Sequence, residues 1–373
     1  MLRYRINSYK VGNDHGHQDK SSIIMIKHWV GNRLKISRFL AKEKQYTNVN
    51  SFWLDLIKTP KIRKQQNLFK NFLFLHYFVK EINKISKTNY LMISNKYSIF
   101  KSSKQAHALI NNANYLNLCN EAELKQVVTN KHDFELICAS KALLNFKMLD
   151  IAIDFFYKNK IQLSAVNLRH YFYSLQILDS LKTQQKISIL EIGGGGGNLY
   201  KILSLQLQQR IIRYTVIDIP EFLILNAFGN QFNGKKILFP NSKTDISSNN
   251  SDLFISASEY SQIFQNNTSL RFDLVINTHS FMEMSNDTIN EYFDLIYTRA
   301  NPYCLFFQTN FTQYSMPQMD GALKENNPRN YPFRTDDKVL YEGDDPFTAY
   351  ISSHLGYKPL RQSFTSIRNI NTN

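Results

Sequence analysis

The chain has 373 residues, of which 43% are hydrophobic and 13% aromatic, and it carries a formal net charge of +15 at pH 7. This composition is typical of a globular protein with a large core, and it excludes a mainly disordered chain. Cys119, Cys138 and Cys304 have neither metal-ligand nor paired spacing, so we expect reduced thiols and no structural disulfide.

The positive charge is spread along the chain. It is compatible with a nucleic acid, an anionic membrane surface or a negatively charged small substrate. No dense Arg/Lys block marks a nucleic-acid arm, so we expect solvated charge and no nucleic-acid partner. The polar start, and the polar residues within the most apolar stretch, Leu68–Val79, predict a cytoplasmic protein without a membrane span. Peripheral contact with a membrane stays open.

The first part of the chain is predicted to be helical. Apolar residues recur at helical spacing between residues 23 and 90, and a second helical block covers Glu121 to Leu144. Met148 to Tyr157 and Leu163 to Leu181 continue the pattern. We predict a mainly helical N-terminal region, residues 1–145, with a role as a lid, in substrate binding or in forming a homo-oligomer.

After Lys186 the pattern changes to short runs that are rich in β-branched and aromatic residues. These runs are Ile187–Leu190, Tyr214–Ile217, Phe272–Ile276 and Cys304–Phe307. Amphipathic helical stretches, Leu199 to Leu207 and Asp287 to Arg299, lie between them. Strands that alternate with helices predict an α/β domain over residues 146–373, with a parallel sheet and helices on both faces.

A glycine-rich segment follows the first predicted strand. Glu191 ends the strand, and five consecutive glycines, Gly193 to Gly197, precede a predicted helix. Glycine permits the positive φ and the close backbone approach that a tight strand-to-helix turn around a ligand requires. Asp218 ends the next strand, where a carboxylate can accept both hydroxyls of a ribose. The pair of features predicts a nucleotide-like ligand.

Two ligand classes share this arrangement, dinucleotides and S-adenosylmethionine. A dinucleotide site prefers G-x-G-x-x-G, with the pyrophosphate at the helix N-terminus. Glu191 would repel a pyrophosphate but suits the ammonium group of a methionine moiety. We therefore favour S-adenosylmethionine over NAD.

Leu190 to Gly197, followed by Tyr214 to Glu221, resembles the first two motifs of class I methyltransferases. With Asp273 to Met284 and Tyr292, the chain is similar to bacterial sugar O-methyltransferases, over residues 165 to 335. The resemblance implies a Rossmann-like class I methyltransferase fold, a parallel sheet with an antiparallel edge strand. It also implies a set of cofactor-binding residues, which are Glu191, Gly193, Gly194, Gly195, Gly197, Asp218, Ile219 and Asn277.

Methyl transfer to a hydroxyl needs a group that removes the acceptor proton. His279 lies just beyond the predicted strand Phe272–Ile276, at the edge where parallel sheets bind ligands, and an imidazole titrates near neutrality. The resembled O-methyltransferases have a catalytic histidine at the matching position. Glu283, four residues on, is a candidate to orient the imidazole if this segment is helical. A hydrogen-bonding role for His279 and a capping role for Glu283 are the structural alternatives.

Three further side chains are weaker candidates for substrate contacts. Arg169 and Tyr171 lie on the helix before the first strand, where they are placed to face the cofactor or a substrate phosphate. Tyr331 lies in a segment rich in proline and aromatic residues that is suited to cover a sugar by stacking. A surface arginine, packed aromatics and a simple connection are the structural alternatives. No constellation of residues nominates metal ligands.

The hypothesis is an S-adenosylmethionine-dependent O-methyltransferase that acts on a sugar or a glycosylated or carrier-linked small molecule. One rival is an RNA methyltransferase, which the charge favours. Amino-methylating enzymes of that class show Asn/Asp-Pro-Pro-aromatic after the corresponding strand, where this chain has Asn277-Thr-His-Ser280. The other rival is a catalytically silent, methyltransferase-like subunit that binds partners through its N-terminal region.

Overall fold

The computed structural model describes residues 131–371, apart from residues 160, 162, 182–185, 221, 224–225, 227–235, 242–243, 245, 247–250, 313, 318–322 and 356–361. The predicted helices between residues 23 and 90, most of the block from Glu121, and Cys119 lie outside the described residues. The same holds for most of the predicted N-terminal region 1–145, so its boundary and its role stay predictions. Cys138 and Cys304 are buried free thiols.

The α-helices of the described part are α1 Lys131–Asn145, α2 Leu149–Lys158, α3 Ala165–Ser180, α4 Asn198–Leu207, α5 Tyr260–Asn266, α6 Asn286–Arg299 and α7 Pro346–Leu355. The strands are β1 Ile187–Ile192, β2 Ile211–Asp218, β3 Ile237–Leu238, β4 Asp252–Ser256, β5 Phe272–Thr278, β6 Ala300–Phe311, β7 Tyr314–Pro317, β8 Leu323–Asn326, β9 Lys338–Asp344 and β10 Ser363–Asn369. Short 3-10 helices cover Gln208–Arg210, Phe281–Glu283 and Pro328–Asn330. No helix among the described residues is both long and apolar enough to cross a membrane.

Eight of these strands form one sheet in the order β3-β4-β2-β1-β5-β6-β10-β9. The first six strands in this order, from β3 to β6, pair in parallel with their neighbours, whereas β10 runs antiparallel to both β6 and β9. The antiparallel strand β10 is therefore the second strand from the edge that β9 forms, and not the edge strand itself. Strands β7 and β8 form a separate antiparallel hairpin after β6. The predicted α/β class is confirmed.

The predicted strands and helices of this domain are all present, with longer bounds for most of the strands. Six strands were not predicted, which are β3, β4, β7, β8, β9 and β10. Strand β4 is fully buried on both faces, and β9 is largely exposed at the sheet edge, so neither shows the alternation that signals a half-buried strand.

The register of the parallel strands determines where the functional residues meet. Ile192 of β1 pairs with Ile217 of β2 on one side and with Asn277 of β5 on the other. The residues that follow these three strands consequently lie at one edge of the sheet, outside the strand carboxyl ends, where open α/β sheets bind ligands. Residues of α5 and α6 form one buried cluster with residues of the sheet, and α1 packs against both α3 and α7.

Candidate active site

The turn after β1 has an unusual backbone. Gly193, Gly195 and Gly197 have φ angles of +75°, +51° and +76°, a region that residues with a side chain rarely adopt. The Gly193 N–H donates to the carbonyl of Ile217 on β2, and the Gly197 N–H donates to the carbonyl of Gly194. The turn is thus closed on itself and tied to the neighbouring strand before α4 begins.

The glycines of this turn have different surroundings. A Cβ atom on Gly193 would lie 1.8 Å from the hydroxyl oxygen of Ser280, and one on Gly194 would lie 2.7 Å from Val216 Cγ1. A Cβ atom on Gly195 would have no atom within 4 Å. Gly193 and Gly194 are therefore needed for packing within the protein, whereas Gly195 borders open space that a ligand can occupy.

Glu191 is a buried carboxylate at the end of β1. It is 1% exposed, and the Tyr214 hydroxyl donates a hydrogen bond to its Oε2 atom at 2.8 Å. Burial raises the pKa of Glu191 to about 7, against the effect of the Tyr214 hydrogen bond, and the nearby Asp218 carboxyl raises it further. The ionised form would gain from a cation at this position.

Asp218 lies beside the open side of the turn. Its Oδ2 atom accepts the Gly195 N–H, and its Oδ1 atom accepts the Ile219 N–H, both at 2.7 Å. Burial raises the pKa of Asp218 to about 7, although these two N–H donors oppose the shift. Each carboxylate oxygen keeps further acceptor capacity, which is what two ribose hydroxyls would need. Ile219 is partly buried and follows directly, where its side chain can contact the same ligand.

His279 directly follows β5 in a left-handed conformation, with φ +54°. This conformation is uncommon for a residue other than glycine, and such strain is often found at functional sites. The His279 N–H donates to the Thr309 carbonyl of β6 at 2.7 Å, which holds the backbone in place. The following residue, Ser280, is the one that packs on Gly193. His279 is therefore tied to the glycine turn.

The His279 imidazole is 7% exposed, and its ring lies 4.8 Å from that of Phe311, between centroids. Its Nε2 atom lies 3.2 Å from the Tyr173 hydroxyl, whereas its Nδ1 atom is buried without a hydrogen-bond partner. Burial lowers the pKa of His279 well below its usual value, and the nearby Arg169 and His170 lower it further. The imidazole is consequently neutral at neutral pH, with a lone pair on one of its two ring nitrogens.

Tyr173 and Asp345 were not singled out from the sequence. Tyr173 is on α3, and Asp345 precedes α7, where its carboxylate accepts the N–H groups of Phe347 and Thr348. The Tyr173 hydroxyl lies 3.1 Å from Asp345 Oδ2. Nothing in the local sequence marks either residue, because Tyr173 meets His279, and Asp345 meets Tyr173, only through the packing of α3 and α7 near the sheet.

The expected role of Glu283 in orienting His279 is not supported. The imidazole Nε2 atom contacts Tyr173, and its Nδ1 atom has no hydrogen-bond partner. Glu283 ends the short 3-10 helix Phe281–Glu283, and its N–H donates to the Ser280 carbonyl. The left-handed backbone of His279 interrupts the helical turn that would have placed both side chains on one face.

Asn277 was expected to contact the cofactor, and its side chain is in fact part of the protein framework. It is fully buried, and its Nδ2 atom donates to the Ile192 carbonyl at 2.9 Å. Its Oδ1 atom accepts from the Phe281 N–H and from the Asn310 amide. The side-chain oxygen is therefore already engaged twice, and the amide joins the end of β1 to the segment after β5.

The two candidates on α3 have different positions. Tyr171 packs between Phe155 and Phe156 of α2, with ring centroids 5.2 and 5.5 Å away, so the expected substrate contact is wrong and the packed-aromatic alternative holds. Arg169 lies close enough to His279 and Asp345 for its charge to affect the pKa of each. It therefore belongs to the surroundings of His279.

Tyr331 does not form the exposed surface that stacking on a sugar requires. It is 8% exposed, and its ring packs in the core against Phe281 and Phe293, with centroids 5.6 and 6.2 Å away. Aromatic residues of a proline-rich segment are equally suited to filling a core, which is their role here.

The fold and the site together define a class. The order β4-β2-β1-β5-β6 is that of a doubly wound nucleotide-binding sheet, with the glycine turn after its central strand. The insertion of the antiparallel β10 between β6 and the last strand, β9, distinguishes the class I methyltransferase fold from the dinucleotide-binding fold. The chain has the class I methyltransferase fold.

No protein-family model matches the chain, and no curated protein matches its sequence. Three solved structures illustrate its structural neighbours. An S-adenosylmethionine-dependent methyltransferase from Aquifex aeolicus is 12% identical, with 54% of this chain and 92% of that chain covered and a TM-score of 0.30. The cyclopropane synthase MmaA2 from Mycobacterium tuberculosis is 10% identical, with 53% of this chain and 83% of that chain covered and a TM-score of 0.35. The cyclase SpnF is 13% identical, with 57% of this chain and 84% of that chain covered and a TM-score of 0.35. At these values the likeness carries no argument about reaction or substrate.

Proposed function

We propose that this protein is an S-adenosylmethionine-dependent O-methyltransferase, and that its acceptor is a hydroxyl of a sugar or of a glycosylated or carrier-linked small molecule. The observation that carries the proposal is the contact between Ser280 and Gly193, which ties His279 to the glycine turn after β1. A proton acceptor beside the methyl-donor site is what transfer to a hydroxyl requires. The sugar class rests on the resemblance of the sequence motifs.

The residues of the turn fit this cofactor. Glu191 offers a buried carboxylate to an ammonium group, and Asp218 has remaining acceptor capacity for ribose hydroxyls. The open space over Gly195 leaves room for the cofactor to approach the backbone of the turn. When bound, the cofactor supplies an electrophilic methyl group on its sulfonium.

His279 acts as the general base in this proposal. Its imidazole is neutral, because burial lowers its pKa, and Nδ1 has a free lone pair if Nε2 carries the proton. The imidazole then accepts the proton that the acceptor hydroxyl loses during transfer. Removal of a general base costs about 10²–10⁴-fold in rate, so His279→Ala should lower kcat by this amount without weakening cofactor binding.

Calorimetric titration with S-adenosylhomocysteine tests the cofactor. We expect binding by the wild type and a loss of at least about tenfold in affinity in Asp218→Ala and Gly195→Val. Tyr171→Phe, on the far side of α3, serves as a control that binds like the wild type. No binding by the wild type, or unchanged binding in both site variants, contradicts the proposal.

Methyl transfer to a panel of saccharides, nucleotide sugars and glycosylated small molecules tests the acceptor. Product mass and the position of the new methyl group are read by mass spectrometry. The net charge of +15 is the observation that favours RNA as a second acceptor class. Tight RNA binding that weakens steeply with salt, together with methylated RNA, would replace the saccharide by RNA. Cofactor binding without transfer to any acceptor would favour a silent subunit.

A further inference from the structure

Three buried side chains from distant parts of the chain form a line of hydrogen bonds that ends at His279. Asp345 and Tyr173 are fully buried. The Tyr173 hydroxyl lies 3.1 Å from Asp345 Oδ2 and 3.2 Å from His279 Nε2. Tyr173 is 106 residues from His279 and 172 residues from Asp345 along the chain. The arrangement is thus a product of tertiary packing and not of a local turn.

The chemistry of these groups sets the direction of the hydrogen bonds. An ionised carboxylate accepts hydrogen bonds only, so Tyr173 must donate its one proton to Asp345. The Tyr173 oxygen is then left as an acceptor toward His279. Burial, with Asp345 alongside, raises the pKa of Tyr173 well above its usual value, so the hydroxyl keeps its proton.

Asp345 is itself held in place. Its carboxylate accepts the Thr348 N–H at 3.1 Å, and its carbonyl accepts the Ala349 N–H at 2.8 Å, in the first turn of α7. Side chains in this position satisfy N–H groups that a helix leaves unpaired. The carboxyl group at the end of the line is therefore positioned by a helix N-terminus. Burial raises the pKa of Asp345, whereas its hydrogen bonds with Thr348 and Tyr173 and the nearby charge of Arg169 lower it and favour the ionised form.

We infer that Tyr173 and Asp345 are positioning residues that hold the His279 imidazole as the tautomer protonated at Nε2, which makes Nδ1 the atom that accepts the substrate proton. The inference rests on the proposed function for the role of His279 in transfer. A histidine that donates from one ring nitrogen to a fixed acceptor leaves the other nitrogen as a base. The unpartnered, buried Nδ1 atom fits this assignment.

The step balances in bonds and protons. The acceptor oxygen would form its bond to the methyl carbon as the bond between that carbon and the donor sulfur breaks, with the electron pair of that bond left on the sulfur. The proton of the acceptor hydroxyl would move to Nδ1, and the imidazole would become an imidazolium with Nε2–H still bonded to Tyr173. The Tyr173 proton and the charge of Asp345 do not change. Asp345 stabilises the imidazolium through the tyrosine and does not itself take a proton, as in other carboxylate-oriented histidines.

The tautomer can be measured without turnover. The full chain is labelled with nitrogen-15 at its nine histidines, and the His279 signals are assigned by their loss in His279→Gln. Long-range proton–nitrogen correlation spectra distinguish the two neutral tautomers. We expect the Nε2–H form in the wild type and in the control Tyr171→Phe, and a mixture or the Nδ1–H form in Tyr173→Phe. Asp345→Ser, which keeps a capping hydroxyl but does not reach Tyr173, should behave like Tyr173→Phe.

The kinetic counterpart uses the same variants. Tyr173→Phe should lower kcat by about 10–100-fold, as the loss of an outer hydrogen bond to a functional histidine commonly does, with the affinity for S-adenosylhomocysteine unchanged. The Nδ1–H form in the wild type, or an unchanged tautomer in both Tyr173→Phe and Asp345→Ser, would overturn the inference. If the tautomers follow the expectation while His279→Ala retains full activity, the proposed role of His279 in transfer fails instead.

Discussion

The Ser280 side chain lies directly over Gly193, so that a methyl group on Gly193 would be 1.8 Å from the serine oxygen and 2.2 Å from its Cβ atom. This contact joins the turn after β1 to the segment after β5. Both segments leave adjacent strands at the same edge of the sheet. The segment that carries His279 and the glycine turn are therefore packed against each other.

Alanine substitutions in the turn should separate the cost of steric overlap from the cost of the backbone conformation. Gly193→Ala combines a positive φ with an overlap against Ser280, so we expect a loss of about 2–4 kcal/mol in the free energy of unfolding. Gly195→Ala has the positive φ but open space, and should lose only about 1 kcal/mol. Urea denaturation measures both. Equal losses in the two variants would contradict the packing difference.

The affinity for S-adenosylhomocysteine should rise with pH. Burial raises the pKa of Glu191 to about 7 and that of Asp218 to about 7, so both carboxyls are largely protonated in the ligand-free protein below this value. A ligand ammonium favours the ionised Glu191, so binding releases protons and strengthens, by up to about tenfold per pH unit, as the pH rises toward about 7.

Calorimetry in buffers of different ionisation enthalpy measures the released protons. Glu191→Gln should lose its share of the pH dependence. The same shifts mean that the unliganded fold binds more protons than the unfolded chain, so its stability should fall as the pH rises from about 4 to about 7. An affinity that stays constant from about pH 6 to about pH 8 would rule out ionisation of Glu191 as the cause.

Asn277→Ala should destabilise the protein. Its amide bonds the Ile192 carbonyl, the Phe281 N–H and the Asn310 amide, all of which would lose a buried partner. We expect a loss of about 3 kcal/mol in the free energy of unfolding, measured in urea. Ile151→Ala, at an exposed position of α2, is the matched control and should change it by less than about 1 kcal/mol. A loss of affinity for S-adenosylhomocysteine at unchanged stability would restore Asn277 as a ligand contact.

Tyr331→Phe should leave transfer unchanged and stabilise the fold slightly. The Tyr331 hydroxyl is buried without a hydrogen-bond partner, so its removal ends a desolvation cost of up to about 1 kcal/mol. Tyr214→Phe is the contrasting variant, because its hydroxyl donates to Glu191 and its loss should destabilise by about 1–2 kcal/mol. A large rise in KM for the acceptor in Tyr331→Phe would return Tyr331 to the substrate site.

Four of the six parallel strands, β1, β2, β5 and β6, were predictable, since each contains a short apolar run and helical stretches lie between them. The positions of Glu191 and Asp218 followed from the same local pattern, because each ends a strand and adjacent parallel strands end at one edge. The strands at the two ends of the sheet, β3 and β4 on one side and β10 and β9 on the other, were not predicted. Strand β10 lies antiparallel between β6 and β9, and nothing in its own residues specifies those partners.

Whether the surroundings of a candidate side chain could be predicted depended on how far along the chain its contact partners lie. Position after a strand was enough to single out His279, but whether Asn277 faces a ligand or the protein depended on Ile192, Phe281 and Asn310. For Tyr331 the proline-rich context was uninformative, because aromatic rings suit a lid and a core equally well.

By itself, the sequence determined the alternation of strands and helices, the glycine turn and the acidic residues at its two strand ends, because each depends on a short stretch of chain. Only the tertiary structure decided what surrounds His279. The contact of Tyr173 with His279, and that of Asp345 with Tyr173, depend on how α3 and α7 pack near the sheet. Such packing is the sum of many contacts between distant residues, and no single segment of the chain encodes it.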